Sequence, residues 1–256
     1  MKSLITPLLF AALATVASSA TLSGLWEFND SSNIGKATVG NNLTVRGAAP
    51  AFSITAADDF GTAMSGVITT VVGSANSLAL AHGISPNGGG NYVNEYSIVV
   101  DMFSPASSRN AWRTIYQTNS SNSNDGDLFI RNTTNTIGTG DLSYSSGTFA
   151  EDKWVRMTIT VDNGSFYRAY IDGVLLKEYT VQPVDGRYSL DPTVLFFADN
   201  DGDNGTLQIG SLALYNGALT STEVAALGTA GMAIPEPTTL FLSSLATLTL
   251  LRRRRA

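Results

Sequence analysis

Asp199, Asp201 and Asp203 alternate with Asn200, Gly202 and Asn204 in "DNDGDN", the densest run of oxygen-bearing side chains in the chain. Calcium gathers roughly six to eight oxygens from carboxylates, amides and backbone carbonyls, so this run is a candidate cation loop if it folds back on itself. It is not an EF-hand: the sixth position is Asn204 rather than glycine, and the twelfth is Gly210 rather than glutamate. The competing reading is a solvated turn between two strands, where Asp, Asn and Gly are the ordinary residues. Asp125 and Asp127, in "SNSNDGDLF", offer further ligands.

A second stretch has the chemistry of sugar binding, which combines an aromatic face with amide and carboxylate hydrogen bonds. "AWRTIYQTNSSNSNDGD" supplies Trp112, Tyr116, Gln117, Asn119 and Asn122 in and after one expected strand. The strand period of two places Trp112, Thr114 and Tyr116 on one face. Trp112, Tyr116 and Asn119 are therefore the candidate ligand contacts. The alternative is that this face packs in the core, where tryptophan and tyrosine commonly lie.

Signals for catalysis are sparse. Glycoside hydrolysis needs two facing carboxyl groups. Between the two ends the glutamates are Glu27, Glu95, Glu151, Glu178 and Glu223, and none has an acidic partner two residues away. His82, in "LALAHGISPNGGG", is the one histidine and has no glycine-flanked serine signature to serve. It reads as a general base or metal ligand, or as a loop histidine without chemistry. There is no cysteine, hence no disulfide, thiolate metal site or thiol nucleophile. The expectation is a binding or structural protein rather than an enzyme.

The elements that must position these residues are mostly strands. In "WVRMTITVDNGSFYRAYIDGVLLKEYTV", Val155, Met157, Ile159 and Val161 alternate with Trp154, Arg156, Thr158 and Thr160, one set facing inward and one outward. Asp162-Asn163-Gly164 makes a turn, and Asp172-Gly173 is a two-residue hairpin signal. Other expected strands are Gly24–Phe28, Leu43–Val45, Val67–Val71, Tyr96–Phe103, Trp112–Thr118, Asp127–Arg131 and Val194–Ala198. In "GTLQIGSLALYN" the phase of Leu207 and Ile209 opposes that of Leu212 and Leu214, so a bulge at Gly210-Ser211 is expected. Thr220-Ser221-Thr222-Glu223 is a capping box that opens one short helix, which Gly228 stops. Many short antiparallel strands without disulfides imply an all-β, two-sheet antiparallel jelly-roll sandwich.

The two ends say where such a body would work. "MKSLITPLLFAALATVASSA" has a basic start, an apolar run and a small-residue close, the pattern of a secretory signal peptide over residues 1–20. At the far end, Pro235-Glu236-Pro237 precedes a diluted apolar run from Thr238 to Leu251 and then Arg252, Arg253, Arg254 and Arg255. The run is marginal for a span of ~20 residues, and the arginines would hold it on the cytoplasmic side. Taking away the two ends removes Lys2, the four arginines and Glu236, and leaves ten basic against twenty acidic side chains. So acidic a body does not bind nucleic acid through its phosphates.

These stretches carry two resemblances. The order of Pro-Glu-Pro, short apolar segment and arginine cluster over residues 234–256 resembles the PEP-CTERM sorting signal. That resemblance implies transient anchoring in the inner membrane, cutting by an exosortase-type membrane protease, and release to the cell surface or extracellular matrix, often in polysaccharide and biofilm contexts. "KWVRMTITVD", "YRAYIDGVLL" and "IGSLALYNGALTSTEVAALG" resemble the laminin-G-like, concanavalin A-like jelly roll, and "LWEFND" resembles its first strand. The match is poor over residues 37–91, where strand order is open. This resemblance implies glycan or protein binding, often with calcium, and occasionally glycoside hydrolysis. The expected organisation is a signal peptide (1–20), a jelly-roll domain (21–228), a small-residue linker (229–233) and the sorting tail (234–256). The expected partner is extracellular polysaccharide or a surface glycan. A secreted polysaccharide-active hydrolase or lyase, and a structural adhesin that binds protein, are the alternatives.

Overall fold

The structure is a computed structural model that describes residues 20–53, 66–121, 123–148, 150–199 and 201–235. The expected leader up to Ser19, Glu236, Pro237 and the arginines of the tail lie outside the described residues. In chain order the strands are β1 (Thr21–Trp26), β2 (Thr44–Arg46), β3 (Ala51–Ser53), β4 (Val67–Thr69), β5 (Ser77–Ala81), β6 (Glu95–Phe103), β7 (Arg113–Gln117) and β8 (Asp127–Ile130). They continue with β9 (Ile137–Thr139), β10 (Ser143–Tyr144), β11 (Trp154–Asp162), β12 (Phe166–Ile171), β13 (Val174–Glu178), β14 (Thr193–Phe196) and β15 (Gln208–Asn216), and the helix α1 is Ser221–Leu227.

One sheet runs β13-β12-β11-β6-β15-β4-β3, with β1 also paired to β15; the other runs β10-β9-β8-β7-β14-β5-β2. The pairings are antiparallel, and the two sheets enclose one continuous apolar core. This is the expected all-β jelly-roll sandwich. The strands β3, β5, β9 and β10 were not among the expected ones. They are short and rich in Ala, Ser, Gly and Thr, and their strand state comes from the neighbours they pair with rather than from their own propensity.

Local chemistry accounts for the better-marked joints. Asp172 and Gly173 have φ of 49° and 79°, the twist a two-residue hairpin requires. In β15 the register against β6 shifts between Ile209 and Ser211, which leaves Gly210 as the extra residue. Leu207, Ile209, Leu212 and Leu214 thereby all reach the core between the sheets. The capping box forms: the Glu223 N–H donates to the Thr220 hydroxyl (3.3 Å), and the Thr220 N–H donates to the Glu223 carboxylate (2.7 Å).

The expected outward face of β11 is not open to solvent. Trp154, Arg156, Thr158 and Thr160 are buried, because the chain after β15 folds back over this sheet. Leu219, Val224 and Leu227 pack there on Val99, Tyr170, Ala213 and Tyr215. Each such side chain, fully buried, contributes about 1.5–3 kcal/mol. Ala20, the last residue of the expected leader, is buried in the same cluster. Residues 229–233, read from sequence as a spacer of small residues, are docked as well, and so is Pro235 of the expected sorting tail. Ala230 packs with Val67 and Trp154, and the Tyr215 hydroxyl donates to the Pro235 carbonyl (2.9 Å). Arg156 clamps this strap. It pairs with Asp101 (2.7 Å) and donates to the carbonyls of Leu227 and Met232 (2.5 Å each). Among the described residues no helix is long and apolar enough to cross a membrane.

Candidate functional site

With one sheet covered by the strap, the outer face of the seven-stranded sheet is where polar and aromatic groups converge. The strand β8 decides its composition. Leu128 and Ile130 enter the core, so Asp127 and Phe129 point the other way. Trp112, just before β7, meets Phe129 edge-to-face at 5.7 Å and Tyr144 of β10 at 6.3 Å. Arg131, just past β8, lies over Tyr144 at 4.8 Å and Trp112 at 6.0 Å. The result is a partly exposed aromatic platform bordered by a guanidinium.

Tyr116 does not belong to this platform. The β7–β8 register shifts between Thr114 and Tyr116, so Ile115 is an extra residue. That bulge breaks the period-two expectation and turns Tyr116 into the core, fully buried. Its hydroxyl sits between those of Tyr96 (3.0 Å) and Tyr167 (2.5 Å), and burial drives its pKa far up. Asn119 is buried too. It closes its own turn by accepting from the Ser121 N–H (2.8 Å) and donating to the Ser123 carbonyl (3.2 Å). It lines a polar cleft of about 180 Å³ together with Tyr92, Asn124 and Asp191. Of the sequence candidates for sugar contact, Trp112 alone stands on the platform.

Phe129, Arg131 and Tyr144 escaped the sequence reading. Phe129 and Arg131 carried a usable signal: they sit two apart in the expected strand 127–131, hence on one face. Tyr144 lies in "TGDLSYSSG", which reads as loop.

Phe129 also joins the platform to a second cleft of about 250 Å³, lined by Asp127, Thr139, Asp141, Arg187 and Tyr188. Arg187 pairs with Asp141 and donates to the Asp125 carbonyl (2.7 Å). Burial, with the charges of Asp125 and Asp199 nearby, pushes the Asp127 carboxyl up to about 7. The Asp127 Oδ1 and Gln117 Oε1 atoms, on cross-strand partners, are buried without hydrogen-bond donors among the described residues. Arg187, in the same cleft, is the cation that opposes the upward shift at Asp127.

The aspartate loop folds back beside the platform. The Thr114 N–H donates to the Asp203 carbonyl (3.0 Å) and the Gly205 N–H to the Trp112 carbonyl (2.6 Å). Asp199 is buried, and its Oδ1 accepts from the N–H groups of Asp201, Gly202 and Asp203. That oxygen is committed to shaping the turn. Its charge still couples to its neighbours: after burial, the charges of Asp199 and Asp201 raise the Asp203 carboxyl further, while at Asp125 burial raises the carboxyl against its backbone hydrogen bond and Arg187. Of the expected ligands, Asp199 and Asp201 are thus brought close to Asp125 and Asp127, while Asp203 faces Tyr144. Among the described residues, however, no three His, Cys, Asp or Glu side chains meet as a metal-binding group.

His82 has a structural position. Its Nδ1 accepts from the Ile84 N–H (3.0 Å), which leaves Nε2–H to donate to the Asp191 carbonyl (2.7 Å). Burial lowers its pKa, in keeping with the neutral ring that both contacts require. Glu151 is held by Arg109 and Asn135, Glu178 by Arg168, and Glu223 by the helix cap.

Comparison with known proteins follows the same lines. Residues 84–225 match the sequence profile Laminin_G_3, described as the concanavalin A-like lectin/glucanases superfamily. No curated protein matches the chain. Among solved structures, domain 4 of AbnA, a GH43 extracellular arabinanase from Geobacillus stearothermophilus, in complex with arabinotriose, aligns with a TM-score of 0.59 at 18% identity, covering 82% of this chain and 99% of that one. The receptor binding domain of botulinum neurotoxin C/D mosaic serotype aligns at 0.53 and 17% identity, over 80% of this chain and 50% of that one. The binding domain of Paraclostridial Mosquitocidal Protein 1 aligns at 0.53 and 16%, over 81% and 51%. The chain thus spans about half of these two toxin domains. At these identities the likeness is one of fold.

Proposed function

Since the chain belongs to the concanavalin A-like lectin/glucanases superfamily, we propose that it is a non-catalytic carbohydrate-binding domain of the cell surface or extracellular matrix. The observation that carries this reading is the platform of Trp112, Phe129 and Tyr144 on the outer face of the seven-stranded sheet, continuous with the Asp127–Arg187 cleft. A pyranose or furanose ring lays its C–H face on such rings, while carboxylates and amides at the border take its hydroxyls. The fold shared with an arabinotriose-bound arabinanase domain supports a sugar as the ligand.

Titration with a panel of oligosaccharides, arabinotriose among them, followed by tryptophan fluorescence, tests this reading. Trp112→Ala is expected to weaken binding by about tenfold or more, the worth of one good stacking contact. A panel in which nothing binds, or a Trp112→Ala variant that binds like the parent, overturns it. New reducing ends or new unsaturated products on incubation with polysaccharide would point to a hydrolase or lyase instead.

Calcium belongs to the proposal as a structural ion. Its candidate ligands are the Asp127 and Gln117 side-chain oxygens, which have no hydrogen-bond donor among the described residues. Export and sorting belong to it as well, on the strength of the two sequence ends: a signal peptide, then a Pro235-Glu236-Pro237 tail held briefly in the inner membrane and cut by an exosortase-type protease. The first residue of the tripeptide is itself docked, since the Pro235 carbonyl accepts from the Tyr215 hydroxyl.

A further inference from the structure

The platform carries an arginine whose charge the fold leaves unpaired. Arg109, Arg156, Arg168 and Arg187 each hold a carboxylate. Arg113 is buried and donates to Ser104, Asn135 and the Arg131 carbonyl. Arg131 is exposed and, like Arg46 of β2, forms no ion pair among the described residues; of the two, Arg131 is the one at the platform. Its guanidinium is stacked 4.8 Å over the Tyr144 ring. Stacking occupies the flat face of the group and leaves the N–H donors along its edge free.

A planar cation with a free edge, fixed at the border of an aromatic platform, matches a carboxylate two atoms at a time. The body around it is strongly acidic, with ten basic against twenty acidic side chains between the expected leader and tail. An acidic polymer is repelled by most of that surface and finds its attraction where a cation stands unneutralised. Asp203 is the acidic neighbour of this spot, since its charge helps to raise the Tyr144 phenol pKa.

We propose, resting on the carbohydrate-binding reading, that this face selects acidic polysaccharide whose sugar units carry carboxylates, and that Arg131 reads the carboxylate while Trp112 and Tyr144 carry the ring. The specificity lies in one guanidinium and the stacking in its aromatic supports, so the two can be separated by mutation.

The test uses a matched pair of probes, an oligogalacturonate and the same oligosaccharide with its carboxylates methyl-esterified. Both are titrated at low and at physiological salt against the domain. The free acid is expected to bind about tenfold or more tighter than the ester, the worth of one charge-assisted pair, with the difference shrinking as salt rises. Arg131→Gln should abolish the preference for the free acid over the ester. Arg131→Lys should keep only part of it, because an ammonium cannot form the fork. Thermal unfolding confirms that each variant is folded, and the exposed position of Arg131 favours this. Equal binding of acid and ester, or an unchanged preference in Arg131→Gln, overturns the role of Arg131 and leaves the carbohydrate reading standing. If neither probe binds, and neutral oligosaccharides fail as well, both are overturned.

Discussion

Replacing Arg156 by methionine removes the clamp on the eight-stranded sheet while keeping most of the stem that packs there. The geometry sets the cost. Arg156 and Asp101 are almost fully buried and share two hydrogen bonds, 2.7 and 2.8 Å long. Without the guanidinium, Asp101 keeps one donor among the described residues, the Gly231 N–H at 2.9 Å. Leaving one member of a buried pair uncompensated costs about 3–5 kcal/mol. The carbonyls of Leu227 and Met232 lose their donors too, but a strap that peels away can hydrate them, which limits the added loss. A total of about 4 kcal/mol is expected. In a domain of this size, where 1 kcal/mol moves Tm by about 2–4 °C, the midpoint should fall by about 8–16 °C. Thermal unfolding followed by near-UV circular dichroism measures it. Limited proteolysis should cut first in the strap, within residues 228–235. Adding Asp101→Leu to the same chain removes the orphaned charge and should recover at least half of the loss. A single variant that loses less than about 3 °C, or a double variant no better than the single, refutes the view that this pair pins the strap.

Protonation of His82 should weaken the fold. Its folded pKa is lowered by burial, so the unfolded chain takes up a proton first and stability drops as pH falls through the unfolded value near 6.5. Tm measured between about pH 8 and pH 5 should show this drop, and His82→Gln should flatten it, whereas an identical slope in both proteins excludes the cause. Thr220→Ala removes the helix cap and should cost about 0.5–2 kcal/mol in urea unfolding, unless α1 is held by packing alone. If calcium sits among the Asp127, Gln117 and Asp199 oxygens, a chelator lowers Tm by several degrees and Asp127→Asn abolishes the response. A Tm indifferent to chelator and to excess calcium rules the ion out. Changing Pro235, Glu236 and Pro237 to alanine should leave the protein in the inner-membrane fraction, and normal release would refute processing at that tripeptide.

The sequence by itself determined whatever depends on neighbours along the chain. Asp172-Gly173 announces its hairpin because both turn positions need positive φ. The phase change between Ile209 and Leu212 forces a bulge at Gly210, since a strand keeps its apolar side chains on one face only in that way. Thr220 and Glu223 mark a helix start through groups three residues apart. The fold class followed from such local signs. Tertiary structure alone decided which faces stay open. The outward side of β11 alternates like a solvent face, yet the returning strap buries it, and no local periodicity records a segment that comes back from about seventy residues away. The candidate site shows the same division. Trp112 was legible as an aromatic among amides, but the bulge at Ile115 turned Tyr116 into the core. Phe129, Arg131 and Tyr144 come from other strands and joined Trp112 only when the sheet assembled. A binding face is made of residues distant in sequence, so its membership is fixed by strand pairing and by what covers the rest.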